Sequence, residues 1–139
     1  MDSGGEHAAG WCWHVSGHVT AVSTSGSDGR HTLNVTIRST ETGCDQYADW
    51  WEVLSTDGEL LARRVLAHSH VAENPFTRSG TVPVNADVTV WVRAHMNHSS
   101  YGGMAMTGSV ATGFQQAELP ANFAPWVATE GSLPDGCAF

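Results

Sequence analysis

Apolar and polar positions alternate through most of this chain. Trp13, Val15, Gly17, Val19 and Ala21 alternate with His14, Ser16, His18 and Thr20, the period of two expected of a half-buried strand. A turn cluster over residues 25–29 follows. Leu33, Val35 and Ile37 then alternate with Thr32, Asn34, Thr36 and Arg38, which completes a hairpin. A third strand is predicted over about residues 48–55, turning at Thr56-Asp57-Gly58, and a fourth from about Glu59 to His70. Pro75 and Pro83 punctuate a looser connection. Residues 86–98 give the clearest strand, with Val88, Val90, Val92 and Ala94 on one face and Thr89, Trp91 and Arg93 on the other. Met104 to Gly113 reads as the last strand, and from Gln115 onward the pattern fades.

About seven short strands with turn signals every 8–12 residues predict an all-β fold, an antiparallel immunoglobulin- or fibronectin-like β-sandwich. A small β-barrel is the alternative. Trp13, Trp50, Trp51 and Trp91 would fill or flank the core. The division that follows is a flexible leader at 1–10, a sandwich domain at 11–114 and a Pro-containing tail at 115–139. A chain of 139 residues suits one such core.

The hairpin register bears on the cysteines. Opposed residues of an antiparallel pair share an index sum, and placing Val19 opposite Ile37 makes the two apolar faces coincide. The same sum sets Cys12 opposite Cys44, close to disulfide reach. A Cys12–Cys44 disulfide is therefore expected, with Cys137 left over; three unrelated thiols are the alternative. A disulfide points to an oxidising compartment. Residues 1–10 lack the basic and apolar regions of a signal peptide, which leaves a cytosolic protein and a mature exported domain both open. The cysteines favour the second, hence an extracytoplasmic (periplasmic or secreted) location.

Charge narrows the partners. The six basic residues are all arginine, and 14 acids leave a net charge of −8. Nucleic acid and anionic membrane are disfavoured, because both need a basic patch. No apolar run approaches the length of a membrane span. A metal ion or small ligand fits better.

The candidate chemistry lies in two histidine pairs, His68-Ser-His70 and His95-Met-Asn-His98, followed by Met104 and Met106. On a strand, i and i+2 share a face roughly 6.5–7 Å apart, so His68 and His70 can serve one ion. His95, His98 and Met96 stand where another strand enters a loop. If the two strand ends share a pole, imidazoles and thioethers converge, a donor set suited to copper, with zinc as the alternative. The competing reading has these histidines hydrogen-bonding loops while the methionines pad the core. His7, His14, His18 and His31 read as ordinary surface positions.

Enzyme signatures are thin. No phosphate loop, nucleophile elbow, H-E-x-x-H or C-x-x-C occurs. Asp45, Asp49, Glu52 and Asp57 near Trp50 and Trp51 could line a sugar groove, or be solvated acids beside packed tryptophans.

Residues 43–53 (Gly43-Cys44-Asp45-Gln46-Tyr47-Ala48-Asp49-Trp50-Trp51-Glu52-Val53), with Asp57-Gly58, Arg64-Val65-Leu66, His68-Ser69-His70-Val71, Glu73 to Ser79 and Val92-Arg93-Ala94-His95, carry a resemblance. They resemble a group of small bacterial proteins of no established activity, predicted to form a small sandwich, with stretches like D-T-G-W-D-H-Y-A-D, H-P-H-V-x-E-Q-P-F-T-R-S and V-x-R-A-H-D. The likeness covers roughly residues 30–105. It implies that His68, His70, Glu73, Pro75, Phe76, Thr77, Arg78 and His95 act together. Cys44 departs from a tryptophan of the group and Met96 from an acid, which would turn any shared site toward a softer metal.

Two function classes stay open. One is a non-catalytic, extracytoplasmic, copper-type metal-binding sandwich using His68, His70, His95, His98 and Met96. The other is a carbohydrate- or protein-interaction module in which Trp50 and Trp51 bind and the Glu73–Arg78 loop is structural.

Overall fold

The computed structural model describes residues 16–138. Its strands are β1 (Gly17–Ser27), β2 (Arg30–Ser39), β3 (Ala48–Ser55), β4 (Leu60–Val65), β5 (Phe76–Val82), β6 (Val90–Met96), β7 (Ala105–Ser109) and β8 (Gly113–Ala117). They form one sheet of order β1-β2-β5 and another of order β4-β3-β6-β7-β8. Every pairing is antiparallel. The chain crosses between sheets at β2–β3, β4–β5 and β5–β6, which is the immunoglobulin- and fibronectin-like sandwich that the alternation predicts.

Facing residues of the two sheets make the core. Val19, Leu33, Val35, Ile37, Phe76 and Val82 pack against Trp51, Val53, Val92, Ala94, Met96 and Met106. Trp51 lies across β5 at Gly80, where an added Cβ would come within 3.1 Å of the indole. Glycine makes that contact possible. β5 itself is absent from the sequence pattern, because only its ends, Phe76 and Val82, are buried. Seven residue pairs against β2 hold it as a strand instead. The fourth strand ends at Val65 rather than His70, and Leu66 turns into the core.

The expected Cys12–Cys44 disulfide is corrected. Cys44 is bonded to Cys137, with Cα atoms 5.7 Å apart. Val19 does face Ile37, but a bulge between Val19 and Ala21 shifts the register, so that Val22 and not Ala21 opposes Val35. At the other end β2 stops at Ser39. Cys44 sits beyond it in a turn closed by the Gly43–Gln46 bridge, off the ladder that the index sum extrapolates. Cys12 and the proposed leader lie outside the described residues.

The segment expected as a patternless tail has a structural task. Its boundary at 114 falls inside β8, and the chain continues as a strap containing a 3₁₀ turn, Pro125–Thr129. Strand β3 explains why the strap is there. Trp51 and Val53 face the core, so Trp50, Glu52 and Leu54 must face the opposite way. All five are nevertheless buried. Leu54 packs with Ala124 and Val127 of the strap.

Beneath the strap, Glu52 stands directly opposite Arg63 on β4 and Arg93 on β6. Arg63 Nε donates to Glu52 Oε1 at 2.8 Å and Arg93 Nε to Oε2 at 2.8 Å. The outer guanidinium nitrogens reach the strap backbone. Arg93 donates to Phe123 O (2.7 Å) and Ala124 O (2.9 Å), and Arg63 to Val127 O (2.7 Å), Glu130 O and Ser132 O. One carboxylate thus orients two arginines, and the arginines bind the strap.

Removing the carboxylate leaves two buried cations uncompensated, an effect of about 3–5 kcal/mol. Glu52→Ala should lose that much stability in a denaturant titration. Cys137→Ser should also destabilise the oxidised protein, by about 4 kcal/mol, because the disulfide closes a long loop of sequence separation 93. The same titration, run without reductant, reads it.

Candidate functional site

β4 leaves its ladder at Val65, and the strap returns alongside: Ala138 N–H donates to Ala67 O at 3.0 Å, and His68 bridges Ala138 in parallel. This fixes the backbone on which His68 and His70 stand. Their ring centroids are 4.7 Å apart, tilted by 44°. The His-x-His spacing does bring two imidazoles together. Nδ1 of His68 lies 3.0 Å from Ser69 O. A carbonyl can only accept, so Nδ1 is the donor of this bond.

His70 is held from three directions. Its ring stacks on Phe76 at 3.7 Å, and Asn74 Nδ2 donates to its carbonyl at 3.3 Å. Its backbone N–H donates to Glu41 Oε1 at 2.5 Å. Glu41 is a fully buried carboxylate that also accepts from Ser39 Oγ (2.6 Å) and Ala48 N–H (3.2 Å). The same Oε1 is 3.7 Å from His70 Nδ1, which is buried and has no hydrogen-bond partner among the described residues. Burial pushes the His70 imidazole below its ordinary pKa, outweighing the opposing pull of Glu41.

His95 belongs to a different constellation. It stands opposite Trp50 on the outer face of the larger sheet and stacks on that indole at 3.7 Å. His95 Nδ1 is 2.6 Å from Asp49 Oδ1, and the Tyr101 ring meets the imidazole edge-on at 4.8 Å. Arg93 lies over Tyr101 at 3.5 Å, and Arg63 over Trp50 at 4.1 Å. Burial, reinforced by Glu52, holds the Tyr101 hydroxyl well above the ordinary phenol range. The cluster continues the Arg63–Glu52–Arg93 network toward the end of the sheet.

The expected convergence of His68, His70 and His95 is therefore not what the fold produces. His70 stacks on core Phe76, whereas His95 lies on the face away from the core. Among the described residues no three His, Cys, Asp or Glu side chains group as a metal site. Met96 is wholly buried in the core, and His98 lies on an exposed turn. Trp50 and Trp51 are 3% and 1% exposed, so they form no binding platform. Glu73 and Arg78 make a surface ion pair of 3.1 Å beside Phe76. Sequence reasoning passes over Glu41, because a lone acid between Thr40 and Thr42 carries no periodic signal. Tyr101 is passed over similarly, and Asp49, singled out only as a groove acid, finds its partner His95 46 residues away.

No protein-family model matches the chain. It is 39% identical over 112 residues to a protein of Halomicrobium mukohataei named "Putative lipoprotein", an alignment covering 76% of this chain and 55% of that protein. The chain thus spans about half the length of the curated relative it matches. A superoxide reductase (neelaredoxin) of Ignicoccus hospitalis aligns at a TM-score of 0.45 with 11% identity, over 86% of this chain and 100% of its own. A likeness of that degree says nothing of this chain's chemistry.

A pH dependence follows from His18, whose Nδ1 accepts Met104 N–H at 3.0 Å and so must be unprotonated. Burial, helped by Arg38, lowers its pKa below the ordinary 6.5. The unfolded chain then takes the proton more readily than the folded one, so stability falls as pH drops through about 6.5 toward the lowered value. Denaturant titrations at pH 7.5 and 5.5 should show this loss. His18→Asn, which keeps an acceptor but cannot titrate, should show a smaller one.

Proposed function

We propose that this chain is a non-catalytic, extracytoplasmic metal-binding sandwich of copper type, whose ligands are the imidazoles of His68 and His70. The observation that carries this reading is the ring pair itself, with centroids 4.7 Å apart where β4 gives way to loop. Imidazole suits copper as a ligand. Zinc suits the pair less, since its structural sites take four ligands and its catalytic ones three. The net charge of −8 favours cations near the surface. The Cys44–Cys137 disulfide supports an oxidising compartment, as does the name of the Halomicrobium relative.

Titrating the full chain with Cu(I) under anaerobic conditions should give one equivalent bound. His68→Ala/His70→Ala should bind none while keeping its β-type circular dichroism. Because His70 packs on Phe76, His68→Ala alone serves as the milder variant and should bind much more weakly. A folded double variant that binds as the parent does overturns the proposal.

A further inference from the structure

Two observations about His70 call for one explanation. Its Nδ1 is buried without a hydrogen-bond partner among the described residues, and a fully buried carboxylate oxygen, Glu41 Oε1, lies 3.7 Å away, just beyond bonding distance. Buried polar atoms are ordinarily satisfied. We propose that Glu41 is the positioning carboxylate of the imidazole pair: it accepts the Nδ1–H of His70 when Nε2 takes a metal ion. This deepens the copper reading and rests on it.

The chemistry requires a division of labour between the ring nitrogens. A neutral imidazole that ligates through Nε2 keeps its proton on Nδ1, and that N–H needs an acceptor. Metal-ligating histidines regularly find one in a carboxylate or carbonyl, which fixes both tautomer and ring orientation. For His68 the acceptor is in place, Ser69 O at 3.0 Å from Nδ1. Glu41 gives His70 the equivalent partner. Both rings would then offer Nε2.

Glu41 is placed for this by contacts that leave it little freedom. Ser39 Oγ and Ala48 N–H hold Oε2, while Oε1 takes the His70 backbone N–H at 2.5 Å. An sp² oxygen has a second lone pair for a further donor. The side chain of Asn74 ties Ser39 N–H (3.0 Å) to His70 O (3.3 Å), so the strand end carrying Glu41 and the loop carrying His70 move together. Closing the 3.7 Å gap requires the imidazole to tilt over Phe76.

The test uses the full chain, Cu(I) as probe, and ring-nitrogen NMR. In the copper-loaded parent, the His70 Nε2 resonance should carry the metal shift, and its Nδ1–H should be visible and slow to exchange. Glu41→Gln should still bind one equivalent, with affinity lower by about 10–100-fold and with faster Nδ1–H exchange. Glu41→Asp should recover part of the affinity, a rescue that a merely structural role would not single out. If Glu41→Gln does not fold, the parent spectrum alone decides. Coordination of His70 through Nδ1, or a folded Glu41→Gln with parental affinity, overturns the role of Glu41 and leaves copper binding standing. Copper binding that does not depend on His68 and His70 overturns the underlying reading instead.

Discussion

A single carboxylate, Glu52 of β3, is enclosed between the guanidinium groups of Arg63 and Arg93 from the two neighbouring strands. Three charges removed from water are costly unless each is paired and its remaining donors are bonded. The strap meets that requirement, its carbonyls at 123, 124, 127, 130 and 132 taking the outer guanidinium nitrogens. The strap is thereby committed to the outer face of β3. That course carries Cys137 to Cys44 and Ala138 to the chain beside His68. The strap that covers Glu52 thus also supplies the backbone contact beside His68.

Much of the sandwich was legible because burial on one face writes a period of two. The alternation of Leu33, Val35 and Ile37 in β2 and the apolar face of Val90, Val92 and Ala94 follow directly from it. β5 was not legible, since the ladder to β2 and the indole over Gly80 hold it rather than its own pattern. The bulge after Val19 was not legible either, for one extra residue leaves no mark in composition. Cys44 shows the cost of extrapolation: the register was right at Val19–Ile37, but the ladder ends at Ser39. Glu52 looked like a solvated acid because the residues that cover it lie some 70 positions later.

The site was legible in part for the same reason. His68-x-His70 is a local pattern, but the pair stands beyond the end of β4, where Ala138, Phe76, Asn74 and Glu41 hold the segment that carries it. Convergence with His95 depended on which face each strand end presents, and that is a tertiary fact. Met96 faces the core while His95 faces the opposite way, as neighbouring residues of a strand must. Asp49 and Trp50 then claim the His95 ring. What remains for the proposed metal is a two-imidazole set, with Ser69 O 3.0 Å from His68 Nδ1 and Glu41 Oε1 3.7 Å from His70 Nδ1.

We propose that this pair, with no sulfur and no third imidazole, holds the ion. X-ray absorption at the copper edge of the Cu(I)-loaded full chain reads its ligands. The expected spectrum is two-coordinate, with nitrogen scatterers only and the outer-shell pattern of imidazole. A sulfur scatterer, or a first shell of four ligands, would contradict it.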